Sequence, residues 1–86
     1  MEKETKMEGT IGEIRLFAGS YPPRCWTFCR GQQMAVSQQN AALFSVLGTN
    51  HGGDGIHNFN LPKIDSLSQY GPHYIICIQG LYPSRD

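Results

Sequence analysis

The segment that most restricts the fold of this chain is the nearly continuous apolar stretch YIICIQGLY at residues 74–82. A run of β-branched and aromatic residues like this one is typical of a central strand that is covered on both faces. Its natural partner is the stretch TIGEIRLFA at residues 10–18, where apolar and charged side chains alternate and predict a half-buried strand. The predicted buried face carries Ile14, Leu16 and Ala18. Pairing the two strands joins the two ends of the domain.

Shorter elements are predicted between these two strands. CWTFCRG at residues 25–31 alternates with period two and predicts a short strand that ends in a turn. SQQNAALFSVLG predicts a helix over about residues 37–47, with Ser37 as its N-cap and Gly48 in the left-handed conformation that ends a helix. The apolar face of this helix is formed by Leu43, Val46 and Leu47. The fold class is therefore α+β, with short antiparallel strands, the N- and C-terminal strands paired, one short helix and long glycine-rich loops.

The composition restricts the classes of partner. Seven basic and seven acidic residues balance to zero net charge, and no basic run is interleaved with aromatic residues, so we expect no nucleic-acid partner. No apolar run approaches the roughly 20 residues that span a bilayer, so we expect no membrane insertion. The N-terminal residues lack the apolar core of a Sec-type signal peptide, which implies that any export uses another route.

Charged residues are concentrated at the N-terminus. The first eight residues, MEKETKME, hold five of the fourteen charged residues of the chain. Such a segment has too little apolar surface to fold by itself. We predict a flexible charged tail over residues 1–9 and one folded domain over residues 10–86.

The stretch LGTNHGGDGIHNFNLP, at residues 47–62, is where a binding site is most expected. It contains four of the ten glycines and two of the three histidines. A phosphate loop needs its glycines before a helix N-terminus, whereas these glycines follow the predicted helix. Asp54-Gly55 is a turn pair, and glycine allows positive φ, so we predict that this stretch forms a structural loop, the glycine loop.

A metal site in this loop is a weaker hypothesis. His51, Asp54 and His57 are the candidate ligands, because His and Asp side chains bind zinc. Neither a His-x-His pair nor a helical i, i+4 pair is present to preorganise them. A metal site shared between subunits around a symmetry axis is the better of the two metal hypotheses, because one His from each subunit then suffices. We predict no metal and no cofactor.

Cys25, Cys29 and Cys77 give an odd number of cysteines. The spacing of Cys25 and Cys29 is not that of a usual zinc pair, and no second pair completes four ligands. We expect buried free thiols, although outside the cell an odd cysteine suggests an intermolecular disulfide. A nucleophilic pair of Cys25 or Cys29 with His73 is a remote alternative, because nothing marks either thiol as activated. We predict no catalytic residues.

The same residues carry a family resemblance. The strings IGEIRLFAG, PP, W, CRGQ, ALFSVLGT, GGDG and FNLP follow one another as in the phage tail collar domain. The chain resembles in particular the microcystin-dependent, tail-fibre-like proteins of that family, and the ending YIICIQGLYPSRD is similar to the family's last strand. The resemblance implies that the structural framework of the glycine loop consists of Gly52, Gly53, Asp54, Gly55, Phe59, Leu61 and Pro62.

The chain also departs from the family. Members usually continue past Leu-Pro with Asp-Leu-Arg-Gly-Arg and a long variable region, whereas this chain has LPKIDSLSQYGPH. The receptor-contacting part is therefore expected to be missing or reduced to a turn. Members tend to have Gly where this chain has Cys25, and often Tyr where it has His51. Cys25 is thus the first candidate for a crosslink between subunits, while Cys29 is expected in the core and Cys77 can bridge to it only if their strands are neighbours.

The resemblance implies a structural, non-catalytic tail-fibre-type subunit, located outside the cell or in a virion- or tail-like particle. Its expected partner is another copy of itself, in a fibre, trimer or filament. We expect the tail to add to a neighbour's strand edge, with the assembly segment at Gly9, Thr10 and Ile11. The alternative is an adhesion module that binds a receptor or glycan through residues such as His51, Asp54 and Tyr70. A small metal- or thiol-dependent enzyme is a remote alternative.

Overall fold

The computed structural model describes residues 7–83, which form two small antiparallel sheets and one helix. The strands are β1 (Ile14–Phe17), β2 (Trp26–Phe28), β3 (Gln33–Ala35), β4 (Asn58–Asn60) and β5 (His73–Cys77). A 3₁₀ turn (Gln38–Asn40) leads into the helix α1 (Ala41–Leu47). One sheet has the order β1-β5-β2 and the other pairs β3 with β4. The predicted α+β class, with the N- and C-terminal strands paired, is confirmed.

The last strand, β5, is the centre of the fold. It pairs with β1 on one side and with β2 on the other, where Trp26 lies opposite Cys77. Ile75, Ile76 and Cys77 are completely buried. Ile76 belongs to the core cluster that includes the helix, whereas Ile75 and Cys77 pack with Trp26 and Phe28 in a second cluster. The prediction of a central strand covered on both faces is confirmed for its first half. The strand ends at Cys77 and residues 79–82 are exposed, so the predicted extent to residue 82 is wrong.

The alternation predicted for β1 is present, but the burial predicted from it is wrong. Ile14 and Leu16 are 40% and 48% exposed, and Ala18 is exposed as well. The more covered face carries Arg15, whose guanidinium lies 5.0 Å from the centre of the Trp26 ring. β1 lies at the edge of the sheet. The Trp26 indole covers the face that carries Arg15, whereas the face that carries Ile14 and Leu16 stays partly exposed. Arg15 tolerates partial cover because its stem is apolar and its planar head stacks on an aromatic ring.

The helix is shorter than predicted. It begins at Ala41 because residues 38–40 form a 3₁₀ turn, and Ser37 makes no side-chain capping hydrogen bond. Leu43 and Leu47 are buried, as the helical spacing predicts. Gly48 ends the helix with a φ of 57° and a ψ of −145°, so its φ is positive but its conformation is not the predicted left-handed one.

The pairing of β3 with β4 has no counterpart in the sequence prediction for residues 33–35. Met34 lies opposite Phe59, and Phe59 is fully buried. Both strands have only three residues, so their pattern is too short to distinguish a strand from a loop. The pair positions the glycine loop, because that loop connects α1 to β4.

The two ends of the described chain are joined through their backbones. The N–H of Ile11 donates to the Leu81 carbonyl at 2.8 Å, and the N–H of Leu81 donates to the Gly9 carbonyl at 3.0 Å. Thr10 and Leu81 form a parallel bridge, and Ile11 is buried in the core. The segment Gly9, Thr10 and Ile11, predicted as an assembly segment, is thus hydrogen-bonded within its own chain.

Residues 7–9 pack on the sheet, although they were predicted to belong to the tail. The indole Nε1 of Trp26 donates to the Met7 carbonyl at 2.7 Å, and a guanidinium nitrogen of Arg15 donates to the Glu8 carbonyl at 3.2 Å. The side chain of Met7 packs against the cluster around Trp26. Met7 and Glu8 thus contact the sheet, and residues 1–6 of the predicted tail lie outside the described residues.

Candidate functional site: a glycine loop, a cleft and an open strand edge

One carboxylate organises the glycine loop. Asp54 Oδ1 accepts hydrogen bonds from the backbone N–H groups of Ile56 and His57, both at 2.8 Å, and of Asn58 at 3.1 Å. These backbone hydrogen bonds, that of His57 foremost, hold the pKa of Asp54 well below its usual range. The carboxylate is therefore ionised at neutral pH and closes the turn that leads into β4.

The glycines allow this loop to lie against β4. Gly52, Gly53 and Gly55 have φ values of 123°, 100° and 74°, a region that favours glycine. A β-carbon on Gly53 would lie 2.5 Å from the Phe59 α-carbon and 2.7 Å from the Asn58 carbonyl oxygen. The remaining framework residues named from the sequence are buried: Phe59, Leu61 and Pro62.

The candidate metal ligands do not form a metal centre. Asp54 Oδ2 lies 3.4 Å from His57 Nδ1, and the side chain of His51 is exposed. Within residues 7–83, no three His, Cys, Asp or Glu side chains are grouped so as to hold a metal ion. Asp54 serves the backbone of its own loop, which leaves its Oδ1 atom occupied.

The three cysteines are free thiols. Cys29 belongs to the core cluster on the helix side of β5, whereas Cys77 packs with Trp26 on the opposite side. Although β2 and β5 are neighbours, the sheet separates these two side chains, so no Cys29–Cys77 bridge forms. Burial raises the pKa of Cys29 to about 11 and is also the main cause that raises the pKa of Cys77. Neither thiol has the lowered pKa of an activated nucleophile.

An open cleft of about 260 Å³ lies beside the start of β5. The Phe28 ring lies beneath the Arg30 guanidinium, 4.4 Å from it, and packs edge-on against His73 with 5.3 Å between the ring centres. On the other side, Lys63 Nζ lies 3.4 Å from Asp65 Oδ1, with both side chains largely exposed. The residues that line the cleft are Phe28, Cys29, Arg30, Lys63, Ile64, Asp65, Ser66, His73 and Tyr74. Aromatic surface beside two cationic groups suits a small polar or anionic ligand.

A bulge at Gly12 sets the hydrogen-bonding pattern of β1. The N–H of Gly12 donates to the Cys77 carbonyl and the N–H of Cys77 donates to the Glu13 carbonyl, both at 2.9 Å. Gly12 and Glu13, which directly precede β1, thus oppose the single residue Cys77. Gly12 has the positive φ of 90° that such a bulge requires. The bulge follows a turn closed by a 2.8 Å hydrogen bond from the Glu13 N–H to the Thr10 carbonyl.

Beyond the bulge, β1 presents an open edge. Antiparallel strands alternate between hydrogen-bonded and non-hydrogen-bonded pairs, so Arg15 and Phe17 bond to β5. Ile14 and Leu16 direct their N–H and C=O groups away from β5, towards a side where the described residues provide no further strand. The exposed apolar side chains and the unpaired backbone groups therefore belong to the same two residues.

The outer edge of β2 is covered by its own chain. The N–H of Trp26 donates to the Pro23 carbonyl at 3.1 Å, and the Phe28 carbonyl accepts a 2.9 Å hydrogen bond from the Gln32 side-chain amide. Gln32 has no sequence signal that predicts this role, because a polar residue after a turn is common. Of the two edges of this sheet, the β1 edge is thus the more available to a partner.

Two comparisons with known proteins bear on this geometry. A family model described as the phage tail collar domain matches residues 12–67, which is more than half of the chain. The match contains β1 to β4, the helix and the glycine loop, and it stops before β5. No curated protein sequence matches the chain.

Proposed function

From the membership of this chain in the phage tail collar domain family, we propose that it is a structural, non-catalytic subunit that assembles with copies of itself. The family belongs to phage tails, which suggests a virion-associated location. Within residues 7–83 no helix is long and apolar enough to cross a membrane. The proposed assembly is a trimer, fibre or filament in which a neighbouring subunit adds to the β1 edge.

The observation that carries this proposal is the coincidence of two properties at Ile14 and Leu16. Both side chains are large, apolar and more than one-third exposed, and both residues point their backbone hydrogen-bonding groups outward. Natural proteins usually protect such an edge with charges, proline or a covering segment, because it can pair with another chain. An added strand would satisfy the N–H and C=O groups and bury the apolar side chains together.

The assembly segment cannot be Gly9, Thr10 and Ile11. Since Gly9 and Ile11 bond to Leu81 of the same chain, those backbone groups are not available to a neighbour. For a trimer, fibre or filament the added strand must come from other residues, such as residues 1–6. If β1 instead pairs with a neighbour's β1, both open edges are used and the assembly closes as a two-fold dimer. Deletion of residues 1–6 separates these cases: loss of the oligomer identifies the tail as the added strand, and a dimer that persists assigns that role to β1.

Light scattering after size exclusion, together with electron microscopy, tests the proposal. We expect wild-type protein to form oligomers and Leu16→Lys to elute with the mass of one chain, because a charge at the edge opposes strand addition. Leu67→Lys is the matched control, since Leu67 is 62% exposed and lies in the loop between β4 and β5 rather than in a strand. A monomeric wild-type protein at all concentrations would overturn self-assembly, and an oligomer unaffected by Leu16→Lys would overturn the role of the edge.

The second candidate function is adhesion through a receptor or glycan, which the cleft favours. Its aromatic and cationic lining suits a sugar with an acidic group, whereas Asp54 of the glycine loop is occupied by backbone hydrogen bonds. The test is glycan-array binding by the Leu16→Lys variant, which removes avidity from self-assembly. Glycan binding that is lost in Lys63→Ala and kept in Tyr70→Ala supports the cleft as the binding site, because Lys63 lines the cleft and Tyr70 does not. No binding by either the variant or wild type excludes this function.

A further inference from the structure

Cys25 has a backbone conformation that its side chain disfavours. Its φ is 74°, and it is the sole non-glycine residue with positive φ within residues 7–83. A β-carbon makes this region unfavourable, and glycine adopts it most readily. A glycine at this position would remove the strain, so the thiol is what distinguishes Cys25 from the residue that this backbone favours.

The sheet register brings Cys25 close to Cys77. Trp26 lies opposite Cys77, and the Ile78 N–H donates to the Cys25 carbonyl at 2.9 Å. Cys25, the turn residue directly before β2, is therefore a diagonal neighbour of Cys77 in β5. The spacing of paired strands puts such α-carbons about 6 Å apart. Disulfides join α-carbons that are roughly 4.4–6.8 Å apart, so this separation falls within their range.

The two thiols also share their surroundings. In a regular strand Cys25 would point away from the face that carries Trp26 and Cys77. With its positive φ, Cys25 instead packs against the cluster that contains both of those residues. Its Sγ lies 3.6 Å from Gln79 Oε1, and the Cys77 Sγ lies 3.2 Å from the Gln79 carbonyl oxygen, so the same residue contacts both sulfurs.

We propose that Cys25 and Cys77 form an intrachain disulfide under oxidising conditions, which ties β2 to β5 beside the paired chain ends. The thiolate of half-buried Cys25 attacks a small-molecule disulfide such as oxidised glutathione, forms a mixed disulfide and releases one glutathione thiolate. The deprotonated Cys77 then attacks the Cys25 sulfur and releases the second glutathione. Two protons leave the protein, the two thiols are oxidised and one glutathione disulfide is reduced. Cys77 is fully buried, so its reaction partner is the sulfur delivered by its neighbour.

Mass spectrometry of the full chain after equilibration with reduced and oxidised glutathione tests this proposal. We expect a monomer whose mass is lower by about 2 Da, as loss of two hydrogens in one disulfide requires. After denaturation it should have one alkylatable thiol, at Cys29, with Cys25 and Cys77 found in one crosslinked peptide pair. Reductant should restore all three thiols.

Single variants separate this disulfide from the alternatives. Cys29→Ser should retain the 2 Da loss, whereas Cys25→Ser and Cys77→Ala should each abolish it. The proposal is overturned by a dimer that disappears on reduction and depends on Cys25, by a glutathione adduct that stays on Cys25, or by three alkylatable thiols after oxidation. The readout is covalent mass, so it does not depend on the oligomeric state proposed above.

Discussion

The backbone of Gly53 lies directly against Phe59, such that a β-carbon on Gly53 would be only 2.5 Å from the Phe59 α-carbon. Phe59 is fully buried and lies in β4, so this contact fixes the glycine loop to the core. The glycine is required by the packing of two backbones. The loop that most resembles a binding site in the sequence thus packs directly against the core.

Gly53→Ala should therefore destabilise the protein strongly. Its φ of 100° is unfavourable for alanine, and the added methyl overlaps the β4 backbone, which cannot move without disturbing the core. We expect a loss of about 3 kcal/mol or more in the free energy of unfolding. Gly48→Ala is the matched control, because Gly48 also has positive φ but nothing lies within 4 Å of its added β-carbon. Equal losses in urea unfolding of the two variants would contradict the close contact.

The stability of the protein should depend on the ionisation of Asp54. Its pKa in the folded state is depressed by backbone hydrogen bonds, so the stabilisation is present above the unfolded value of about 4 and is lost as the pH falls towards the folded value. Asp54→Asn keeps an acceptor oxygen and removes the titration. We expect wild type to lose more stability than Asp54→Asn as the pH falls below about 4.

Urea unfolding at a series of pH values measures this difference. Asp65→Asn is the control, because the Asp65 side chain is 90% exposed and its one ion-pair contact in the described residues is with Lys63 at 3.4 Å. Parallel pH profiles for wild type and Asp54→Asn would show that the loop hydrogen bonds do not favour the carboxylate.

The three thiols should differ in reactivity in the reduced native protein. Cys25 is half-buried, whereas Cys29 and Cys77 are 2% and 0% exposed. We expect Cys25 to react with an aromatic disulfide reagent at pH 8 at least about tenfold faster than the other two. Rates followed by mass spectrometry with and without denaturant check this order, and equal native rates would contradict the packing of the two buried thiols.

Stability should also fall at alkaline pH because of Cys29. Burial raises the pKa of Cys29 in the folded state to about 11, above the ordinary thiol value. The contribution of the neutral thiol to the free energy of unfolding is therefore fully present below the ordinary pKa and is lost as the pH rises towards 11. Cys29→Ala removes this titration and should flatten the decline between pH 8 and pH 10, relative to wild type, in urea unfolding. An equally steep decline in the variant would contradict the assignment.

The sequence predicts those elements of this fold whose patterns are long or fully apolar. The buried strand β5 and the apolar helix face of Leu43 and Leu47 follow directly from the residue types, because burial on both faces or at helical spacing has few alternatives. The exposure of Ile14 and Leu16 could not be predicted, because alternation identifies two faces without saying which one is covered. The face of β1 that is covered is the one with Arg15 and not the one with Ile14 and Leu16, because Arg15 stacks on Trp26 across β5.

The candidate surfaces were harder to predict than the elements. The open edge depends on the bulge at Gly12, which sets the residues of β1 that bond to β5. The proximity of Cys25 and Cys77 depends on the strand order β1-β5-β2, since Cys25 lies far from Cys77 along the chain. Both are consequences of long-range pairing, which local patterns do not contain.

Hydrogen exchange at single amides of β1 tests the central claim most directly. In one subunit the N–H groups of Arg15 and Phe17 bond to β5, whereas those of Ile14 and Leu16 point outward. If neighbours add to this edge, the Ile14 and Leu16 amides should become protected as the protein concentration rises, and Leu16→Lys should abolish the protection at position 14. Fast exchange of Ile14 and Leu16 in a protein that remains oligomeric would contradict assembly through the β1 edge.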